Sequence, residues 1–271
     1  MDKYIEYDNS VIEKYFATKN KNNEKVLIPF IMAGDPDLST TEKLALEILD
    51  NGGDILEIGL PYSDPLADGP VIQQSAERAG NVKIAQVLEL IKKIRAKTDK
   101  PLVLLAYFNP IYNYGTEKFI NDFCEAGLNG LVIPDLAFEE RDGLEKQAKD
   151  KLDLISFIAP TSDENRLKEV AKRAKGFIYC VSVAGVTGVR EGFDYQVREA
   201  VEKIKNYTDV PLAIGFGISN PDQAKKASEL ADGVIVGSAI IKKIESLPKK
   251  PDNKDFTEII NFIKDLKASL V

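Results

Sequence analysis

Histidine is absent from this chain of 271 residues. That one absence excludes a histidine general base, a Ser-His-Asp or Cys-His pair, and any histidine-ligated metal. Cysteine occurs twice, at Cys124 and Cys180. Two distant thiols make neither a four-ligand zinc site nor a redox CxxC pair, and they read as small core residues. No basic block is present, so neither nucleic acid nor an anionic membrane is expected as a partner. No apolar run reaches the roughly 18 residues of a membrane span, and the start, MDKYIEYDNS, lacks an apolar signal core. With few cysteines, these features set the expectation of a reducing cytoplasm.

What is present suits a folded chain. Apolar residues make up 44% and charged residues 29%, with a net charge of -7. This balance supplies a large core and excludes wholesale disorder. Eight short apolar runs recur: KVLIPFIMA (25–33), DILEIGL (54–60), PLVLLAY (101–107), LNGLVIPD (128–135), LDLISFIAP (152–160), GFIYCVSV (176–183), VPLAIGFG (210–217) and DGVIVGS (232–238). Near-continuous Val/Ile/Leu runs suit parallel strands buried on both faces.

Helical patterns lie between these runs. Ser39 with Glu42, and Thr161 with Glu164, read as capping boxes. Asn220-Pro221 reads as an N-cap followed by a proline at the first helical position. Eight strands, each followed by helix, give the expectation of a (β/α)8 TIM barrel, an α/β fold. No linker divides the chain, so residues 1–271 are expected to form one domain, with an extra helix over 2–16. A doubly wound open sheet is the competing architecture. Its Gly-x-Gly-x-x-Gly fingerprint is missing after the first strand, where the sequence is MAGDPDLS.

In such barrels chemistry sits at the C-terminal ends of the strands. Alternation in DILEIGL places Ile55, Glu57 and Gly59 on one face. A carboxylate among aliphatics on a buried strand is either paired with a loop amide or lysine, or it is functional. The next loop, LPYSDPLADGP, is stiffened by three prolines and carries Asp64 and Asp68. Aspartates in turns often bond their own backbone, yet a stiff acidic loop beside a strand-end Glu can also assemble an acid/base pair. Later strand ends are rich in glycine: AGVTG at 184–188, GFGIS at 215–219 and VGSAI at 236–240. Three such ends, the last opening a helix near Ser238, point to phosphate held by backbone N–H groups. Tyr107, Asn109 and Tyr179 are candidates to line the barrel mouth, though a core tyrosine with a satisfied hydroxyl is the ordinary case.

The ordered series PFIMAGDPD, DILEIGLPYSDPLADGPVIQ, APTS, AGVTG, GFGIS and VGSAI, over residues 27–245, resembles the tryptophan synthase alpha chain family. The most specific piece is EIGLPYSDPLADGP. The resemblance implies retro-aldol cleavage of indole-3-glycerol phosphate to indole and glyceraldehyde 3-phosphate. It implies Glu57 and Asp68 as the catalytic pair with Tyr179 beside them. Phe30, Tyr107, Thr187, Gly188, Gly215, Phe216, Gly217, Gly237 and Ser238 would then contact the substrate and its phosphate. Asp35, Asp64 and Asp135 become structural or partner-facing. No metal is implied, and no cofactor in this chain; pyridoxal phosphate belongs to the beta chain, the expected partner in an alpha-beta-beta-alpha heterotetramer.

Four places depart from the family pattern: Met32 (often Thr), Val183 (often Arg), Ala137 in PDLA (usually PDLP), and a shortened stretch AERAGNVK at 76–83. Three other readings compete: a stand-alone indole-3-glycerol phosphate lyase, an activator of the beta chain without lyase activity, and another phosphate-binding barrel enzyme. The absence of a suitably placed strand-end lysine argues against a Schiff-base aldolase.

Overall fold

A computed structural model describes residues 10–181, 191–215, 217–248 and 251–270, with backbone alone for 191–196. In chain order the elements are α1 (Val11–Lys21), β1 (Val26–Met32), α2 (Leu38–Asp50), β2 (Leu56–Gly59), α3 (Pro70–Ala79), α4 (Ile84–Arg95) and β3 (Leu102–Leu105). Then come α5 (Phe108–Tyr114), α6 (Thr116–Glu125), β4 (Gly130–Val132), a 3₁₀ turn at Phe138–Glu140, α7 (Asp142–Ala148), β5 (Asp153–Leu154) and β6 (Ser156–Ile158). The remainder is α8 (Glu164–Arg173), β7 (Ile178–Val181), α9 (Glu191–Lys205), β8 (Leu212–Gly215), α10 (Pro221–Ser228), β9 (Gly233–Val236), α11 (Ser238–Glu245) and α12 (Thr257–Ser269).

The strands form one sheet in the order β5-β4-β3-β2-β1-β9-β8-β7-β6, and every pairing is parallel. This is the expected TIM barrel, with one correction: the fifth run is not a single strand. It pairs with β4 through Asp153 and Leu154, then with β7 from Ser156 to Ile158. The switch falls at Ile155, whose N–H donates to the Leu131 carbonyl at 3.0 Å. Arg141 braces the break, donating to the Leu154 carbonyl at 2.8 Å and to the Ser156 hydroxyl at 3.0 Å.

Two apolar layers follow from the period-2 alternation of the strands. Val26, Ile28, Ile55, Val103, Val132, Ile155, Phe177, Tyr179, Ala213 and Ile235 face into the barrel. Leu27, Ile31, Leu56, Ile58, Leu102 and Leu104, on the alternate positions, face the helices. Helix α1 closes the bottom of the barrel: Ile12 and Phe16 are fully buried in the inner layer, with the Phe16 ring 6.0 Å from Phe177. Such a plug contributes roughly 3–5 kcal/mol per large aromatic by the cost of truncation.

Local sequence explains the helix starts, with three corrections. The first helix covers 11–21, later than the expected 2–16, because Ser10 caps it, its hydroxyl accepting from Glu13 N–H at 3.0 Å; residues 1–9 lie outside those described. Asp37, not Ser39, caps α2, since its carboxylate takes both Ser39 and Thr40 N–H groups. Asp163, not Thr161, caps α8 by accepting from Arg166 N–H. Asn220 caps α10 as expected, with Pro221 at the first position.

Candidate active site

Phe30 on β1 sits opposite Glu57 on β2, and Met32 opposite Gly59. Strand β9 flanks β1 on its other side, which brings Gly237 against Phe30; a Cβ there would stand 3.5 Å from the Phe30 Cβ. Continuing round, β8 ends at Gly215, and β7 carries Tyr179 in register with Ala213. Phe30, Glu57, Tyr179, Gly215 and Gly237 therefore come together at the C-terminal mouth. Gly215 has to be glycine, because a Cβ would fall 2.7 Å from the Tyr179 hydroxyl oxygen.

Glu57 is 1% exposed, and neither carboxylate oxygen has a hydrogen-bond partner among the described residues. Burial, with the nearby Asp68 charge adding to it, pushes its carboxyl up to about 8. Asp68 is pushed up to about 6 by its own burial, against the pull of a hydrogen bond from Tyr107. The Tyr179 hydroxyl is held well above its ordinary value by burial and by the charges of Glu57 and Asp68. Glu57 and Asp68 thus share one largely apolar enclosure beside Tyr179, and no described cation acts on either carboxyl. Such an arrangement keeps a carboxylic acid protonated near neutral pH, where it can donate a proton.

The loop carrying Asp68 is held at fixed points. Tyr107 N-caps α5 and accepts from Ala67 N–H at 3.0 Å while bonding Asp68. Tyr62 packs over Tyr107 with ring centroids 5.2 Å apart and accepts from the Asn109 amide at 3.1 Å. Gln73 on α3 donates to the Asp68 carbonyl at 2.8 Å. The Tyr62 contact was missed in the sequence, where an aromatic within LPYSDP is the available signal. The remaining aspartates separate as expected. Asp35 is buried against Ser75 and Arg78, and Asp135 accepts from Phe108 N–H at 2.8 Å. Asp64, in the exposed part of the loop, takes the Ser63 hydroxyl at 2.9 Å.

The described glycine-rich ends, those after β8 and β9, belong to neighbouring strands. Helix α11 opens at Ser238, and the Gly237 carbonyl accepts from Ile240 and Ile241. The N–H groups of the first turn of a helix have no intrahelical acceptor, which makes that turn an anion cradle. Gly217 has φ +77°, a conformation that favours glycine. Thr187, Gly188 and Phe216, along with Val183, lie outside the described residues. Among the described residues no group of three or more His, Cys, Asp or Glu could hold a metal ion.

With this geometry in place, likeness to known proteins can be weighed. Residues 16–270 match the family described as "Tryptophan synthase alpha chain". The chain belongs to that family. A tryptophan synthase alpha chain from Thermoanaerobacter sp. (strain X514) is 46% identical over 262 residues, covering 96% of this chain and 99% of that one. The alpha chain of Clostridium kluyveri (strain ATCC 8527) is 45% identical over 262 residues, with 96% and 98% covered. The crystal structure of tryptophan synthase subunit alpha from Legionella pneumophila str. Paris superposes with a TM-score of 0.87 at 33% identity, covering 96% of this chain and 97% of that one. Tryptophan synthase alpha chains are lyases, and the alpha designation implies a beta-chain partner.

Proposed function

We propose that this chain cleaves indole-3-glycerol phosphate at the mouth described above, with Glu57, Asp68 and Tyr179 as its catalytic residues. The observation that carries the assignment is the buried Glu57 carboxyl, without a hydrogen-bond partner among the described residues and acted on by Asp68 and Tyr179. Retro-aldol cleavage needs a proton delivered to indole C3 and another taken from the C3′ hydroxyl. The protonated Glu57 supplies the first. Its carboxylate then accepts the second as the C3–C3′ bond breaks, giving the aldehyde and restoring the aromatic ring. A positioned acid/base of this kind contributes about 10²–10⁴-fold. Protonation at C3 places positive charge on the ring N–H, and the Asp68 carboxylate opposes that charge. Tyr179 bounds the space between them.

Phe30 and Tyr107, with Gly215 and Phe216, line the indole side. The phosphate lies against Ser238, Gly237, Gly217, Thr187 and Gly188, where backbone N–H groups and the α11 N-terminus oppose its charge. None of these steps calls for a cofactor in this chain, and pyridoxal phosphate is assigned to the beta chain.

The partner surface is the rim of the mouth. Leu66, 91% exposed, and Tyr112, 66% exposed, stand on the Asp68 loop and on α5, which the Tyr62–Asn109 hydrogen bond ties together. Docking of a beta chain there, in an alpha-beta-beta-alpha assembly, bears directly on the loop that carries Asp68. The chain acts as one domain in the cytoplasm; among the described residues no helix is long and apolar enough to cross a membrane.

The test is glyceraldehyde 3-phosphate release from indole-3-glycerol phosphate by the purified chain, with and without a beta chain. Slow release that rises strongly with the partner is expected. Fast release by the chain alone would make it a self-sufficient lyase. Activation of the beta chain with no release in either case would overturn the catalytic assignment.

A further inference from the structure

Strand β1 places Val26, Ile28, Phe30 and Met32 on one face, and the first two lie in the inner layer of the barrel. Met32 therefore points inward, one pleat above Phe30 and level with Gly59. On β2, Gly59 is the next inward position above Glu57. It leaves an opening over the carboxyl that a side chain would otherwise fill. Two side chains from β1 occupy it: a Cβ on Gly59 would fall 2.7 Å from the Phe30 ring and 2.9 Å from the Met32 sulfur. Met32 is 3% exposed, and its thioether offers no strong hydrogen-bond donor or acceptor.

We propose that Met32 is a positioning residue for the cleavage reaction: with Phe30 it roofs Glu57, holding water and polar groups off the carboxyl that moves the proton. This rests on the assignment of Glu57 made above. The groups around Glu57 are few. Asp68 from the loop after β2 and Tyr179 from β7 are the titratable ones that act on it. Strand β1 contributes Phe30 and Met32, and β3 contributes Val103 and Leu105, none of them charged. Because no cation among the described residues offsets Asp68, dryness is what keeps the Glu57 carboxyl protonated. A polar side chain at position 32 would hydrate it or bond it and favour the ionised form.

The test compares Met32→Thr, Met32→Gln and Met32→Leu with the parent and with Glu57→Gln. Two readouts are taken. One is the pH profile of kcat and KM for glyceraldehyde 3-phosphate release. The other is the infrared carboxyl band of Glu57 in the substrate-free chain, identified as the band lost in Glu57→Gln. In Met32→Thr the alkaline limb and the band midpoint should both move down by about one pH unit, with KM within about twofold of the parent. Met32→Gln, which preserves side-chain length, should move both the same way even if the threonine variant folds poorly. Met32→Leu should keep both where the parent has them. A limb and band unmoved in Met32→Thr and Met32→Gln would overturn the role of Met32 and leave the site assignment standing. If Glu57→Gln instead retains more than about a tenth of the parent kcat, the catalytic role of Glu57 falls. The band titration then still decides whether Met32 keeps that carboxyl dry.

Discussion

Asp54 and Glu57 are three residues apart and almost equally buried, yet they stand at opposite ends of one strand and are treated in opposite ways. Below β2, the Asp54 carboxylate accepts from Leu27 N–H at 2.9 Å and from the Lys267 ammonium at 2.6 Å. Lys19 and the Tyr15 hydroxyl complete its surroundings, each at 3.3 Å. It ties α1, β1 and α12 to the strand. Above, Glu57 has no such partners among the described residues. A buried carboxylate costs several kcal/mol unless paired and hydrogen-bonded, so the lower acid is a fastening, and the upper one fits the proton-transfer role proposed for it. The bottom of the barrel keeps the fold together, and the mouth carries groups whose surroundings oppose their charge.

Substitution should separate the two ends. Glu57→Gln is expected to lower kcat at least about 100-fold, the low end for loss of a general acid/base, while circular dichroism stays that of the parent. It should also stabilise the chain as pH rises. The Glu57 carboxyl is raised to about 8 in the fold. The parent therefore binds a proton more tightly folded than unfolded, and it loses stability between about pH 4.5 and pH 8, a loss the glutamine does not share. Thermal melts across that range check this, and a gap between the two proteins that does not widen with pH would contradict it.

Asp54→Ala should do the reverse. Removing one partner of a buried ion pair costs about 3–5 kcal/mol. The melting temperature should drop while kcat, measured well below it, stays within about threefold of the parent. A large loss of kcat in the folded variant would mean that the two ends are not separable.

Ser238→Asp places a negative charge in the first turn of α11, where the phosphate is assigned. KM should rise about tenfold or more, with a smaller change in kcat. An unchanged KM would move the phosphate elsewhere. The mildest test alters no residue. A reaction needing Asp68 ionised and Glu57 protonated should follow a bell in kcat/KM, with limbs near 6 and near 8. A profile flat across that interval would break the pairing of these two carboxyls.

Much of this was open to a reader of the residues alone. The barrel is legible because its strands are apolar on both faces and alternate with amphipathic helices. Glu57 is legible because an acid amid aliphatics on such a strand has few ordinary explanations. The break at Ile155 was not, since LDLISFIAP reads as one short apolar run with no glycine or proline before Pro160. What divides it is Arg141, whose reach across thirteen residues to the Leu154 carbonyl no local pattern displays. The cap of α2 was misplaced by two positions because AGDPDLST holds Asp, Ser and Thr, all capping residues, and only geometry shows that Asp37 reaches two N–H groups at once. Met32 could have been placed by carrying the inward alternation from Val26 along β1.

The divided fifth strand has a mechanical consequence. A ring whose neighbours are joined all round by continuous ladders cannot change its girth without opening a ladder. Here the ladder changes sides at Ile155, so across that point the ring is carried by a single stretch of covalent backbone. Turning a few bonds there adjusts the spacing of β4 and β7 and leaves the other pairings whole. Arg141, gripping the chain on either side of the turn, is the clasp at this joint, and the next residue, Phe157, lays its ring 5.1 Å from that of Tyr179 at the mouth.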